Sequence, residues 1–234
     1  MFRLMKIEWK RNNLAGYGIR AVICMVVIFG LVAGMAVMSN AQDEPMFTDF
    51  TAFMSLANIF VRITFVVFSA ILISRLVIDE YKNKTIQLLF TYPLQRTKVM
   101  QAKLIIVFGF CFFSVAVSTF IIEVLTVLLN PAAQFFETAA AKEDVLATIP
   151  SILIASVMTA GLSLIPLSFG MRKQSTATTI TSSVILGLLL NSMVSDGSSS
   201  VSMFQFIGVP IVFCLLGLFV AYLSYRKIDR KDVA

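Results

Sequence analysis

Two charged residues stand inside long uncharged runs of the chain: Arg62 within 52–74 and Glu123 within 104–129. An ion in hydrocarbon is costly, so such groups pair with one another or face a polar path. Arg62 lies about ten residues into its run and Glu123 about seven from the end of its own, which at about 1.5 Å per residue gives them matched depth on successive helices. Two readings follow from that match. An ion pair would hold the two helices together and offset part of each group's desolvation. A pair turned toward a polar path would be a contact for whatever passes along it.

The remaining chemistry is sparse. The chain has no His, so its many Ser and Thr residues have no usual base to activate them. Cys24, Cys111 and Cys214 fall singly within apolar runs, which argues against a disulfide framework and against a zinc or haem site. No G-x4-G-K-[ST] occurs, so ATP binding is not expected, and Gly30 with Gly34 reads as a helix-packing pair, within one subunit or between two. Asn83-Lys84-Thr85 matches a glycosylation acceptor but falls in a loop assigned below to the cytoplasm. No catalytic residue, cofactor or metal is expected of this chain.

The elements that must carry these residues follow from composition. Hydrophobic residues make up 58% of 234 and charged residues 14%, with mean hydropathy +0.89. Soluble domains average about 45–50% apolar and about 25% charged, so a soluble globule is excluded. Six runs are long enough to cross a hydrocarbon core: 21–38, 52–74, 104–129, 145–171, 175–194 and 201–225. They are continuous rather than alternating, which selects helices over a β-barrel. The first run exceeds the h-region of a signal peptide and is expected to remain as a helix. Thr176, Thr178, Thr179, Thr181, Ser182 and Ser183 open the fifth run, where hydroxyls can bond back to the helix. Pro166 and Pro210 predict kinks in the fourth and sixth. The expected fold is all-α: a polytopic membrane protein of six transmembrane helices forming one domain over 1–234.

Charge sets the orientation. All 19 Lys and Arg residues except Arg62 and Lys142 fall in the N-terminus, the segment 75–103, the turn at Arg172 and Lys173, and the C-terminal tail. Alternate loops are thus rich and poor in cations, which predicts both termini in the cytoplasm. The net charge of +6 is accounted for by this topology and by attraction to anionic lipid, rather than by nucleic-acid binding.

Two cytoplasmic segments lie outside the runs. In 1–18, Met1, Phe2, Met5 and Trp9 share one arc of a helical wheel and Arg3, Lys6 and Lys10 another, as in an interfacial amphipathic helix. In the loop 79–103, Ile86, Leu89, Phe90 and Pro93 follow i, i+3, i+4, i+7 spacing. One face of a short helix there would be apolar and suited to docking a partner protein.

That loop reads E-x4-T-x2-LL-x3-P-x2-R-x6-K through Glu80, Thr85, Leu88, Leu89, Pro93, Arg96 and Lys103. The pattern, with the amphipathic start, six spans and tight fourth turn, resembles the ABC-2-type permeases, the membrane subunits of ABC exporters. Lys84 stands where Gly is common in the family. The compact form looks like the permeases of bacterial peptide, bacteriocin-immunity and bacitracin-type exporters, which reside in the bacterial cytoplasmic membrane. The resemblance implies cytoplasmic ABC ATPase subunits docking on a coupling helix that contains Glu80, Thr85, Ile86, Leu88, Leu89, Phe90, Pro93 and Arg96. ATP would be bound by that partner, and a second permease subunit would complete a homo- or heterodimer. The implied cargo is hydrophobic or amphipathic, a peptide or antibiotic moved outward; Phe108, Phe110, Phe112 and Phe113 read first as faces toward lipid or neighbouring helices, and otherwise as the wall of a cavity that would suit such a cargo. A scaffold or sensor that docks the same ATPase without transport is the alternative reading. A secondary carrier would show mid-bilayer charges or an inverted repeat, and neither is seen.

Overall fold

A lipid environment offers backbone N–H and C=O groups no partner, so runs of Val, Ile, Leu and Phe without breakers close their hydrogen bonds internally as helices. The computed structural model describes residues 15–40, 47, 50–79, 96–133, 135, 142–173, 175–191, 193–195, 200–202 and 208–228. Helix α1 is Ala15–Asn40, and α2 is Phe50–Ile73, continued by a π turn over Ser74–Ile78. Helix α3 is Arg96–Ala133, α4 Lys142–Leu162, α5 Pro166–Lys173, α6 Thr176–Asn191 and α7 Gly208–Ile228. A two-stranded hairpin, β1 (Met193–Ser195) and β2 (Ser200–Ser202), precedes α7, with Val194 opposite Val201.

Among the described residues four stretches are long and apolar enough to cross a membrane: Gly16–Asn40, Phe50–Ile78, Lys98–Pro131 and Thr148–Lys173. Thr176–Asn191 and Gly208–Ser224 are shorter apolar helices. The 16 residues of α6 span about 24 Å, against a hydrocarbon core of about 30 Å.

Several boundaries differ from the uncharged runs, each for a local reason. Helix α3 starts at Arg96, because Arg, Lys and Gln are good helix formers although they end an apolar run. Lys103, expected in the loop, is therefore a helical residue. The fourth run is two helices: Ser163, Leu164 and Ile165 form a turn before Pro166, with i→i−3 bonds such as Leu164 N–H to the Gly161 carbonyl at 3.2 Å. Proline has no N–H to continue the ladder, which is the expected disruption in its strongest form. The kink expected at Pro210 does not arise. Val201 belongs to the hairpin, α7 begins at Gly208, and Pro210 falls in the first turn, where its missing N–H has no partner to lose.

Helix α2 is the centre of the bundle, packed on α1, α3 and α6, while α4 lies between α3 and α7. Phe53, Phe65, Leu72 and Ile73 of α2 are fully buried. Close approach of backbones occurs between α4 and α7. A Cβ on Gly217 would overlap the carbonyl oxygen of Gly161, and one on Gly161 would meet Cys214. Gly30 and Gly34 make no such approach, since a Cβ on either has nothing within 4 Å. Helix α1 turns Val22, Ile23, Val26, Val27 and Leu31 outward, a face suited to lipid.

Candidate functional site

Polar side chains buried in this bundle fall into three groups. The hydroxyls are mostly satisfied along their own helices. Ser69 donates to the Phe65 carbonyl at 2.8 Å, Thr126 to Ile122 at 2.7 Å and Ser156 to Ile152 at 2.6 Å. The hydroxyl-rich start of α6 does the same, with Thr179 bonded to Ser175, Thr181 to Ala177, Ser182 to Thr179 and Ser183 to Ile180. Back-bonding of this kind lets a Ser/Thr-rich helix persist in an apolar medium, as its sequence suggested.

The second group is at Glu123. Its side chain is only 1% exposed, and Oε1 accepts a hydrogen bond of 2.5 Å from the Thr148 hydroxyl of α4. Oε2 is buried with no hydrogen-bond partner among the described residues. Arg62, half-buried on α2, is engaged by interactions of its own. The contact made at Glu123 Oε1 links α3 to α4. Thr148 escaped the sequence reading because a lone hydroxyl near a run's start carries no signal. Its offset to Glu123 becomes visible only once α3 and α4 are antiparallel neighbours.

The third group is at the junction of α2 and α3. Lys103 is 3% exposed, and its Nζ donates to the Leu76 carbonyl oxygen at 2.8 Å. Leu76 lies in the π turn, in the last described stretch of α2. Terminal carbonyls of a helix have no intrahelical donor and carry the negative end of its dipole. A buried ammonium satisfies both needs, so Lys103 caps α2 from a neighbouring helix. The bond joins two residues on either side of the segment 80–95.

Beside that junction two guanidinium groups share one ring. Arg20 of α1 lies 4.8 Å and Arg75 of α2 5.9 Å from the centroid of Tyr17. Tyr17 is buried and meets Phe68 edge-on at 5.9 Å, and Phe68 stacks on Phe110 at 5.6 Å. An aromatic column therefore runs from the arginines into the interface of α1, α2 and α3.

The other residues singled out by sequence lie largely elsewhere. Glu80, Thr85, Ile86, Leu88, Leu89, Phe90 and Pro93 fall outside the described residues, as do Phe2, Met5 and Trp9. Arg96 opens α3. Among the described residues no cluster of His, Cys, Asp or Glu could hold a metal ion. Cys111 is buried against the hydroxyls of Ser69 and Ser163, where α2, α3 and the break after α4 converge.

The chain as a whole has relatives. Residues 4–191 match the family described as ABC-2 family transporter protein. The chain is also 33% identical over 229 residues to YcbO of Bacillus subtilis (strain 168), a protein itself described as uncharacterized, covering 98% of this chain and 99% of that one. A family match over most of the chain and a relative aligned nearly end to end lead to one assignment: this chain is a membrane protein of the ABC-2 transporter family.

Proposed function

We propose that the chain is the permease subunit of an ATP-driven exporter, a single domain crossing the bacterial cytoplasmic membrane six times with both termini inside. The four long helices with α6 and α7 supply six apolar elements, and the distribution of Lys and Arg supports the orientation. Permeases of this family work with ABC ATPases, and this chain carries no nucleotide-binding motif of its own. The docking segment is 80–96, with Glu80, Thr85, Leu88, Leu89, Pro93 and Arg96 as its family-like residues.

One observation carries the mechanical part of the reading. Lys103 ties the end of α2 to the start of α3 on both sides of the docking segment. A partner that pushes on 80–96 would therefore move the two joined helices together, as a rigid-body displacement of the pair. The work of ATP closure would then reach Arg62 on α2 and Glu123 on α3 through the helices themselves. A pathway along these helices would offer a hydrophobic or amphipathic substrate, such as a peptide or antibiotic, Phe-rich walls with few polar contacts.

The test is affinity capture of the tagged chain from bacterial membranes. The expected result is a stoichiometric ABC ATPase, and its recovery should fall on Glu80→Lys or Arg96→Glu substitution. Capture without any ATPase would overturn the permease reading. Unchanged recovery with both substitutions would remove the docking role from 80–96.

A further inference from the structure

Helix α2 runs into the π turn Ser74–Ile78, where the Asp79 N–H donates to the Ser74 carbonyl five residues back. A π turn holds one residue more than an α turn; it is rare, and is met mostly as a single turn, frequently at functional sites. Its wider winding brings successive residues closer in angle, so more of them share a face. Ser74, Leu76, Val77 and Ile78 are all buried, and of the five residues only Arg75 is exposed.

Two contacts hold the turn in this form. On one side Lys103 of α3 donates to the Leu76 carbonyl. On the other, α5 and α6 both pack on the turn and form a seat for Ile78. A Cβ on Gly170 of α5 would lie 2.9 Å from Ile78 Cδ1 and would overlap Thr179 Oγ1 of α6, so the seat closes only around a glycine. Ile78, Leu167 and Thr179 are fully buried there. The π form also carries a cost that these contacts must offset, since Ser74 Oγ is buried with no hydrogen-bond partner among the described residues.

The alternative form is one hydrogen-bond step away. When the Asp79 N–H passes from the Ser74 carbonyl to the Arg75 carbonyl, the turn becomes α and that N–H keeps a partner. The residues after it then rotate by about 100° and shift by about 1.5 Å along the axis. Ile78 turns out of its seat and the Leu76 carbonyl leaves Lys103, while α2 up to Ile73 keeps its packing.

We infer that Ser74–Ile78 is a two-state latch. It is π when Ile78 sits against Gly170 and Thr179, and α when Ile78 is released, and it passes a rotation of the chain after Asp79 to α5 and α6. That a docked ATPase supplies this rotation rests on the permease reading; the latch itself is a property of this chain alone.

The test is amide exchange of the full chain in phospholipid vesicles, read by mass spectrometry without any ATPase. Deletion of Val77 removes the extra residue and fixes the turn as α. Exchange over 74–79 and over 166–180 should quicken together, about tenfold at the scale of the lost Lys103 bond, while that over 50–73 and α7 holds. Ile78→Ala, which empties the seat without changing the register, should quicken 166–180 alike and serves if the deletion fails to fold. Unchanged exchange over 166–180 in Ile78→Ala would overturn the seat. A folded deletion variant in which only 74–79 responds would overturn the transmission to α5 and α6. In the chain captured with its ATPase, ATP with orthovanadate should move the unmodified chain toward the exchange of the deletion variant, relative to ADP. A response to nucleotide confined to 80–96 would overturn the latch while leaving the permease reading standing, and capture of no ATPase would do the reverse.

Discussion

Substituting Gly217 by Ala tests whether the α4–α7 contact is a backbone-to-backbone seat. The added methyl overlaps the carbonyl oxygen of Gly161, with the Gly161 carbonyl carbon and Ile165 Cγ1 close behind. Side-chain clashes relax by a rotamer change, but a helix carbonyl cannot turn away without breaking its own hydrogen bond. The axes must separate instead, and the Cys214 contact with the Val157 carbonyl at 3.8 Å goes with them. Overpacking of this kind costs about 1–3 kcal/mol. For a chain of 234 residues each kcal/mol moves the midpoint by about 2–4 °C, so the loss expected is roughly 2–12 °C. Thermal unfolding of the detergent-purified chain measures it. Gly30→Ala is the control, because nothing stands within 4 Å of its Cβ and alanine is the better helix former. A Gly217→Ala midpoint equal to or above that of the unmodified chain would refute the reasoning, as would an equal drop in Gly30→Ala.

Two further substitutions probe the polar contacts. Thr148→Val removes the donor to Glu123 Oε1 at nearly constant volume; buried interhelical bonds in membranes average about 0.6 kcal/mol and reach about 1.7, so the midpoint should fall by a few degrees. No fall would mean that the carboxylate finds another donor at no cost. Lys103→Met removes the ammonium from the Leu76 carbonyl, a hydrogen bond to a charged group of about 1.5–3 kcal/mol, and amide exchange over 74–79 should quicken about 10- to 150-fold while that over α7 holds. Unchanged exchange would show that the π turn is held by other means.

The helical class and the approximate place of each helix were legible, because uncharged runs leave the backbone no other way to satisfy itself in lipid. What apolarity could not mark were ends set by polar helix formers, as at Arg96, or by strand pairing, as at Val201. Pro166 was informative and Pro210 was not, since the same residue breaks a helix interior and fits a first turn. The contact of Thr148 with Glu123 was not readable, because it depends on which helices are neighbours. Lys103 shows the same gap: its place in the family-like pattern was plain, but its burial on Leu76 requires the π turn, for which the residues Ser74–Ile78 give no local cue.

These contacts also divide the bundle mechanically. Apolar side chains gain little from one another when the alternative is lipid, so close backbones and buried polar bonds must hold membrane helices in place. The Gly161–Gly217 approach binds α4 to α7, and Glu123–Thr148 joins α3 to α4. At the other end of α3, Lys103 fastens it to α2. Helix α3 is thus tied to α2 near its start and to α4 nearer its end, at positions 20 residues apart. A displacement applied at the α2–α3 junction is therefore expected to carry α2 and the start of α3 together, with the Glu123 contact holding α3 to α4. Helix α1 is joined to α2 through the Tyr17 ring, with Arg20 and Arg75 on it. On that geometry Arg20→Gln/Arg75→Gln, which removes both cations from the Tyr17 ring, should change amide exchange in α1 and α2 while leaving α4 and α7 as they were. Exchange altered equally in all four helices would show that the bundle moves as one body.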